Sequence, residues 1–84
     1  MTHNEELLVI LMEECAEVSQ EASKLIRFGS KTWADVLKFE KEIGDLMCMV
    51  ALCQKAGLIN EDAVMQAAEA KHEKLKRWSN LIDD

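Results

Sequence analysis

The sequence predicts an all-α protein: an antiparallel helical hairpin plus a third helix, with a four-helix-bundle-type core completed by dimerisation. Composition is the first ground for this. The 84 residues include no proline and only three glycines, and Val, Ile, Leu, Met and Ala are mixed with Glu and Lys, mostly good helix formers. The second is periodicity, because apolar residues recur at three- and four-residue steps along three segments. The third is size. A chain this short buries a modest fraction of its surface alone, so a second copy is the natural source of further core.

The elements follow in order. Helix one starts at a capping box, Thr2 to Glu5, and ends at Gly29. Its main apolar stripe is Leu8, Leu11, Cys15, Val18, Ala22 and Leu25 with Ile26. Gly29 to Thr32 is a turn. Helix two begins at a Ser30 or Thr32 cap and runs to about Ala56, with Gly57 as the left-handed stop. One of its stripes is Val36, Phe39, Ile43, Leu46, Val50 and Cys53; with Met49 and Leu52 the C-terminal half is apolar nearly all round. Such a helix is central and faces a second subunit as well. Asn60 caps helix three, which carries Val64, Ala67, Ala68, Lys71, Leu75 and Trp78 on one side. Residues 1–84 read as a single domain, with the tail from Ser79 to Asp84 frayed or making a short turn.

Charge and cysteine usage narrow the function classes. The net charge is −6 and the isoelectric point is near 4.9. No basic stripe is present to neutralise phosphates, which excludes a nucleic acid polymer as partner. A small anion would bind only through metal ions or a few local Lys and Arg residues. The apolar run from Leu7 to Met12 meets Glu13 and Glu14 after six residues, too short for a signal peptide or a membrane span. Cys15, Cys48 and Cys53 form no CxxC. They read as small buried hydrophobes of a reducing, cytoplasmic protein.

Chemistry concentrates in two acidic motifs. Glu14-Cys15-Ala16-Glu17 is ExxE and Glu42-Ile43-Gly44-Asp45 is ExxD. At i, i+3 spacing each carboxylate pair projects from one helix face. The first face continues through Leu7 and Ile10, the second through Met49, Leu52 and Ala56, so both run into packing surface. The motifs lie at nearly equal distances on either side of the turn, which sets all four carboxylates at one height. Like charges that close raise one another's pKa and destabilise the fold unless a cation joins them. Mg²⁺, with Mn²⁺ able to substitute, is the hard cation suited to an all-oxygen ligand set. For one such pair alone, solvated surface glutamates are the plainer reading.

In these residues the chain resembles the MazG-like, all-α nucleoside triphosphate pyrophosphohydrolases. Glu14-Cys-Ala-Glu17, then 24 residues, then Glu42-Ile-Gly-Asp45 is similar to the ordered ExxE and ExxD signature of that family, and the resemblance spans roughly residues 5–78. It implies that Glu14, Glu17, Glu42 and Asp45 hold Mg²⁺ as metal ligands and catalytic residues. It also implies that a metal-activated water cleaves between the α- and β-phosphates, giving a nucleoside monophosphate and pyrophosphate. The basic run from Lys71 to Trp78 is similar to the family's basic end. Lys71 and Lys74, on one face, are the candidate phosphate contacts, although cations also favour a helix C-terminus. The family's asparagine and arginine offsets have no clean match there.

Lesser candidates complete the reading. Glu13 and Glu21 are candidate outer acids or plain surface glutamates. Trp33 and Phe28 flank the turn and stack on a base or, more simply, pack in a core or interface. His3 reaches a base only if the N-terminus folds over the site, and otherwise belongs to a disordered end. Gly44 within a helix costs about 1 kcal/mol relative to Ala, which suits close approach of a helix or a phosphate. Two alternatives stand beside the hydrolase. Glu69-Ala-Lys-His72 is the ExxH of di-iron carboxylate bundles, and a non-catalytic helical dimer would need no metal. Neither base specificity nor the number of metal ions is legible, nor is dimer against dimer of dimers.

Overall fold

Local chemistry at the helix ends defines three elements. The computed structural model describes residues 1–28 and 32–82: α1 spans His3–Arg27, α2 Trp33–Lys55 and α3 Glu61–Trp78. Among the described residues there is no strand. Thr2 Oγ1 accepts from the Glu5 N–H at 3.1 Å while the Thr2 N–H donates to Glu5 Oε1 at 2.8 Å, a complete capping box. Thr32 caps α2, its Oγ1 accepting from the Asp35 N–H at 3.4 Å. Asn60 caps α3 through the Ala63 N–H at 3.0 Å. The expected stop at Gly29 and the alternative cap at Ser30 lie outside the described residues, as do 83 and 84; α1 itself ends at Arg27, with Phe28 as its C-cap.

The corner after α2 is a Schellman turn. The Leu58 N–H donates to the Cys53 carbonyl and the Gly57 N–H to the Gln54 carbonyl, both at 3.0 Å. Gly57 has φ of +77°, the left-handed conformation that costs a side-chain-bearing residue about 1–2 kcal/mol. Leu58 then tucks against the core, the apolar contact that accompanies this turn. Past α3, the Leu81 N–H donates to Ser79 Oγ at 3.1 Å, so the tail folds into a short bend.

α1 and α2 pack along each other. Leu7 meets Met49 and Cys53, whereas Glu14 meets Glu42 and Asp45. One number falls as the other rises, so the helices are antiparallel. Leu7, Met49 and Cys53 are the buried residues, with Ile10, Leu11 and Leu58 packed around them. Several sequence expectations are corrected here. α1 buries Leu7 deepest, with Ile10 and Leu11 beside it; Val18, Ala22 and Leu25 of the expected stripe are half-buried, but Leu8 and Ile26 are exposed, and so are Cys15 and Cys48. Only Cys53 is a buried thiol. Phe28 and Trp33 are exposed rather than part of a core; the Arg27 guanidinium lies over the Phe28 ring, 5.1 Å from its centroid. The common reason is supply of cover. One partner helix hides one face of each hairpin arm, and α3 has no buried residue of its own. At Gly44 an added Cβ would meet nothing within 4 Å, so no packing within the chain requires a glycine there.

Candidate metal centre

The antiparallel register converts two sequence motifs into one cluster. Glu14 comes from the middle of α1; Glu42 and Asp45 come from adjacent turns of α2. Each offers a carboxylate oxygen, and these atoms all lie within 4.8 Å of one another. Glu17 stands one turn along α1 with its side chain exposed; it is not in that group, though its charge acts on Glu14.

Glu14 is the strained member. Its Oε2 is buried and has no hydrogen-bond partner. A carboxylate oxygen accepts only, so it needs a donor or a cation, and none of the described residues supplies either. Loss of hydration holds its pKa above the ordinary 4.5, and Asp45, Glu42 and Glu17 push the same way, opposed by Lys41. Among the described residues, Lys41 is the cation paired with the cluster. Its Nζ lies 3.0 Å from Asp45 Oδ2 and 3.5 Å from Glu42 Oε1. The hydrogen bond to Asp45 leads the causes that raise its own pKa above 10.5. Three carboxylates against one ammonium leave two negative charges uncompensated. The sequence reading passed over Lys41; its position one residue before Glu42 and four before Asp45 is the signal that finds it.

A cavity lies toward the start of α1, about two helical turns from Glu14. It has a volume of about 200 Å³ and is lined by His3, Glu6, Leu7, Ile10, Met49 and Leu52. Leu7, Ile10 and Glu14 follow i, i+3, i+7 on α1, and Asp45, Met49 and Leu52 follow i, i+4, i+7 on α2. The cavity floor at Leu7 is thus about 10 Å from Glu14 along the axis. His3 is ordered in the first turn of α1, not in a disordered end.

No protein-family model, curated protein or solved structure matches the chain. The site's donor set, all carboxylate, with one buried oxygen unpartnered, fits a hard divalent cation. Other candidates stand apart. Trp33 opens α2, twelve residues before Asp45, or about 18 Å along the axis. Lys71 and Lys74 are exposed on α3, as are Glu69 and His72. Glu21 is paired with Lys24 at 2.9 Å, and Glu13 is exposed.

Proposed function

We propose that this chain is a Mg²⁺-dependent nucleoside triphosphate pyrophosphohydrolase. The observation that carries the proposal is the convergence of Glu14, Glu42 and Asp45 from two helices, with Glu14 Oε2 cut off from both water and donors. Glu14, Glu42 and Asp45 would hold the cation, with Glu17 one turn away as the fourth ligand. Mg²⁺ or Mn²⁺ bound there supplies positive charge for the phosphates and lowers the pKa of a water. The acidic side chains fix where that charge sits, and an acidic protein needs it to hold a polyanion at all. The cavity beyond Ile10 and Met49 gives a nucleobase an apolar seat at the right remove from the phosphates, with His3 and Glu6 at its polar end.

The assay is a panel of nucleoside triphosphates in Mg²⁺, with products resolved. A nucleoside monophosphate and pyrophosphate are expected. Stepwise release of orthophosphate, or full activity in excess EDTA, excludes the mechanism.

Assembly belongs to the same proposal. The chain exposes 6797 Å², against about 5,000 Å² for a folded monomer of its mass. Its radius of gyration is 15.4 Å, against about 12 Å for a compact chain of this length. The surplus is apolar in part: Leu8, Met12, Leu37, Met47 and Met65 all face outward. α3 has no buried residue of its own, and most helical stability in proteins comes from packing of an apolar face. A homodimer, or a dimer of dimers, would cover these faces and complete a four-helix core. It would also be the means by which α3 brings Lys71 and Lys74 to the phosphates. Light scattering at micromolar concentration should give a dimer or tetramer; a stable folded monomer contradicts this. No helix among the described residues is long and apolar enough to cross a membrane, and three free thiols suit the cytoplasmic setting proposed here.

A further inference from the structure

We infer that Lys41 is a tethered counter-ion that a divalent cation displaces from the acidic cluster. This rests on the metal-centre reading above and adds to it a residue outside the ligand set. The Lys41 ammonium is 3.0 Å from Asp45 Oδ2 and 3.5 Å from Glu42 Oε1. Those are two of the three acids whose oxygens come within 4.8 Å of one another. It does not reach the third, and Glu14 Oε2 stays without a partner. A single positive charge attached to α2 therefore neutralises the α2 side of the cluster and leaves the α1 side frustrated. A dication seated among all three carboxylates would satisfy both sides, and it would stand close to an ammonium already holding two of its ligands. The two cations repel each other and compete for the same oxygens.

The tether is built to let go. The Lys41 side chain is 69% exposed, so its charge is well solvated once released. Lysine four residues before an acid is the weaker order for a helical ion pair, and exposed pairs of this kind contribute little. An ammonium on a flexible stem also moves farther at lower cost than a planar guanidinium locked in a fork. In the metal-free protein Lys41 relieves part of the repulsion among the acids. In the loaded protein it is expelled to the rim, and the competition sets the cation concentration at which the site fills.

The test is Mg²⁺ titrated by calorimetry into wild type, Lys41→Met and Lys41→Arg at fixed ionic strength. Removing one positive charge about 6 Å from a dication near the surface should tighten binding about threefold to tenfold. Lys41→Arg keeps the charge and should bind no tighter than wild type. A second measurement needs no variant: on Mg²⁺ saturation of wild type, the Lys41 Nζ resonance should move to the position of a free lysine. Equal or weaker Mg²⁺ binding by Lys41→Met overturns the inference, the weaker case making Lys41 an orienting residue for Asp45. So does a Lys41 resonance unmoved at saturation, which decides the matter if the variants do not fold. In both cases wild type still binds Mg²⁺ and the metal centre stands. Wild type that takes up no Mg²⁺ removes the metal centre and this inference together.

Discussion

Glu14→Ala, Glu42→Ala and Asp45→Ala are each expected to lower kcat/KM for the preferred nucleoside triphosphate by about a thousandfold or more in saturating Mg²⁺. The geometry explains the size. These three carboxylates are the group that comes together within 4.8 Å, and in the proposed mechanism the cation they would hold supplies most of the charge stabilisation of the phosphates. Glu17→Ala should cost as much, although its carboxylate stands outside the group. It is one turn from Glu14 on α1, the position proposed for the fourth ligand. Glu13→Ala and Glu69→Ala, exposed on α1 and α3, should leave the rate within twofold, and His72→Ala likewise. Circular dichroism of each variant separates lost chemistry from lost fold. A thousandfold loss in Glu69→Ala or His72→Ala with normal rates in Asp45→Ala would move the reaction to α3 and support the di-iron reading.

Helix ends were readable because their chemistry is local. Thr2 with Glu5, Asn60, and Gly57 after a run of apolar residues each satisfy backbone groups within a few positions, so sequence neighbours decide the outcome. The meeting of Glu14 with Glu42 and Asp45 was readable for a related reason: the turn fixes the register, and equal arm lengths fix the height. The inward face of α1 was readable only in part: Leu7 and Ile10 were marked as running into packing surface, but Leu7 was not placed at the centre of the core. Periodicity marks apolar stripes, but it does not say which one a chain covers for itself when cover is short. Leu8 and Cys15 belong to the more regular stripe, yet of that stripe only Leu11 packs on the core, beside Leu7 and Ile10. Lys41 was overlooked because lysine beside glutamate is ordinary on a helix; only the position of its ammonium against two cluster acids distinguishes it from Lys24 beside Glu21.

The same cluster sets an expected pH dependence, and Glu14→Gln is the substitution that exposes it. Asp45 is the poorer choice, because neutralising it also weakens the nearer of the two ion pairs of Lys41. Glu14 has no such partner, and a glutamine amide there can donate to the neighbouring carboxylates. In the folded chain Glu14 titrates above its ordinary 4.5, through lost hydration first and then through Asp45, Glu42 and Glu17, with Lys41 opposing. The folded state thus holds a proton that the unfolded state has released, and stability falls as pH rises from 4.5 through the raised value. Above that value the full penalty remains. Glu5 works the other way. Its hydrogen bonds in the Thr2 capping box lower its pKa, so it favours folding above 4.5 and loses that contribution as pH falls through its depressed value. Comparing Glu14→Gln with wild type at each pH cancels the Glu5 contribution. In EDTA at pH 7 the variant should therefore melt above wild type, and the gap should close as pH falls below 4.5. Mg²⁺ reverses the order. At one hundred times its Kd a ligand of the folded state adds about 2.7 kcal/mol, roughly 10 °C or more in a domain this small. Wild type should gain that rise, and Glu14→Gln should lose most of it. If Glu14→Gln melts below wild type in EDTA at pH 7, and Mg²⁺ leaves wild type unmoved, then Glu14 is an ordinary surface carboxylate. The convergence of acids in this hairpin would then hold no cation, and hydrolysis through it would fall with it.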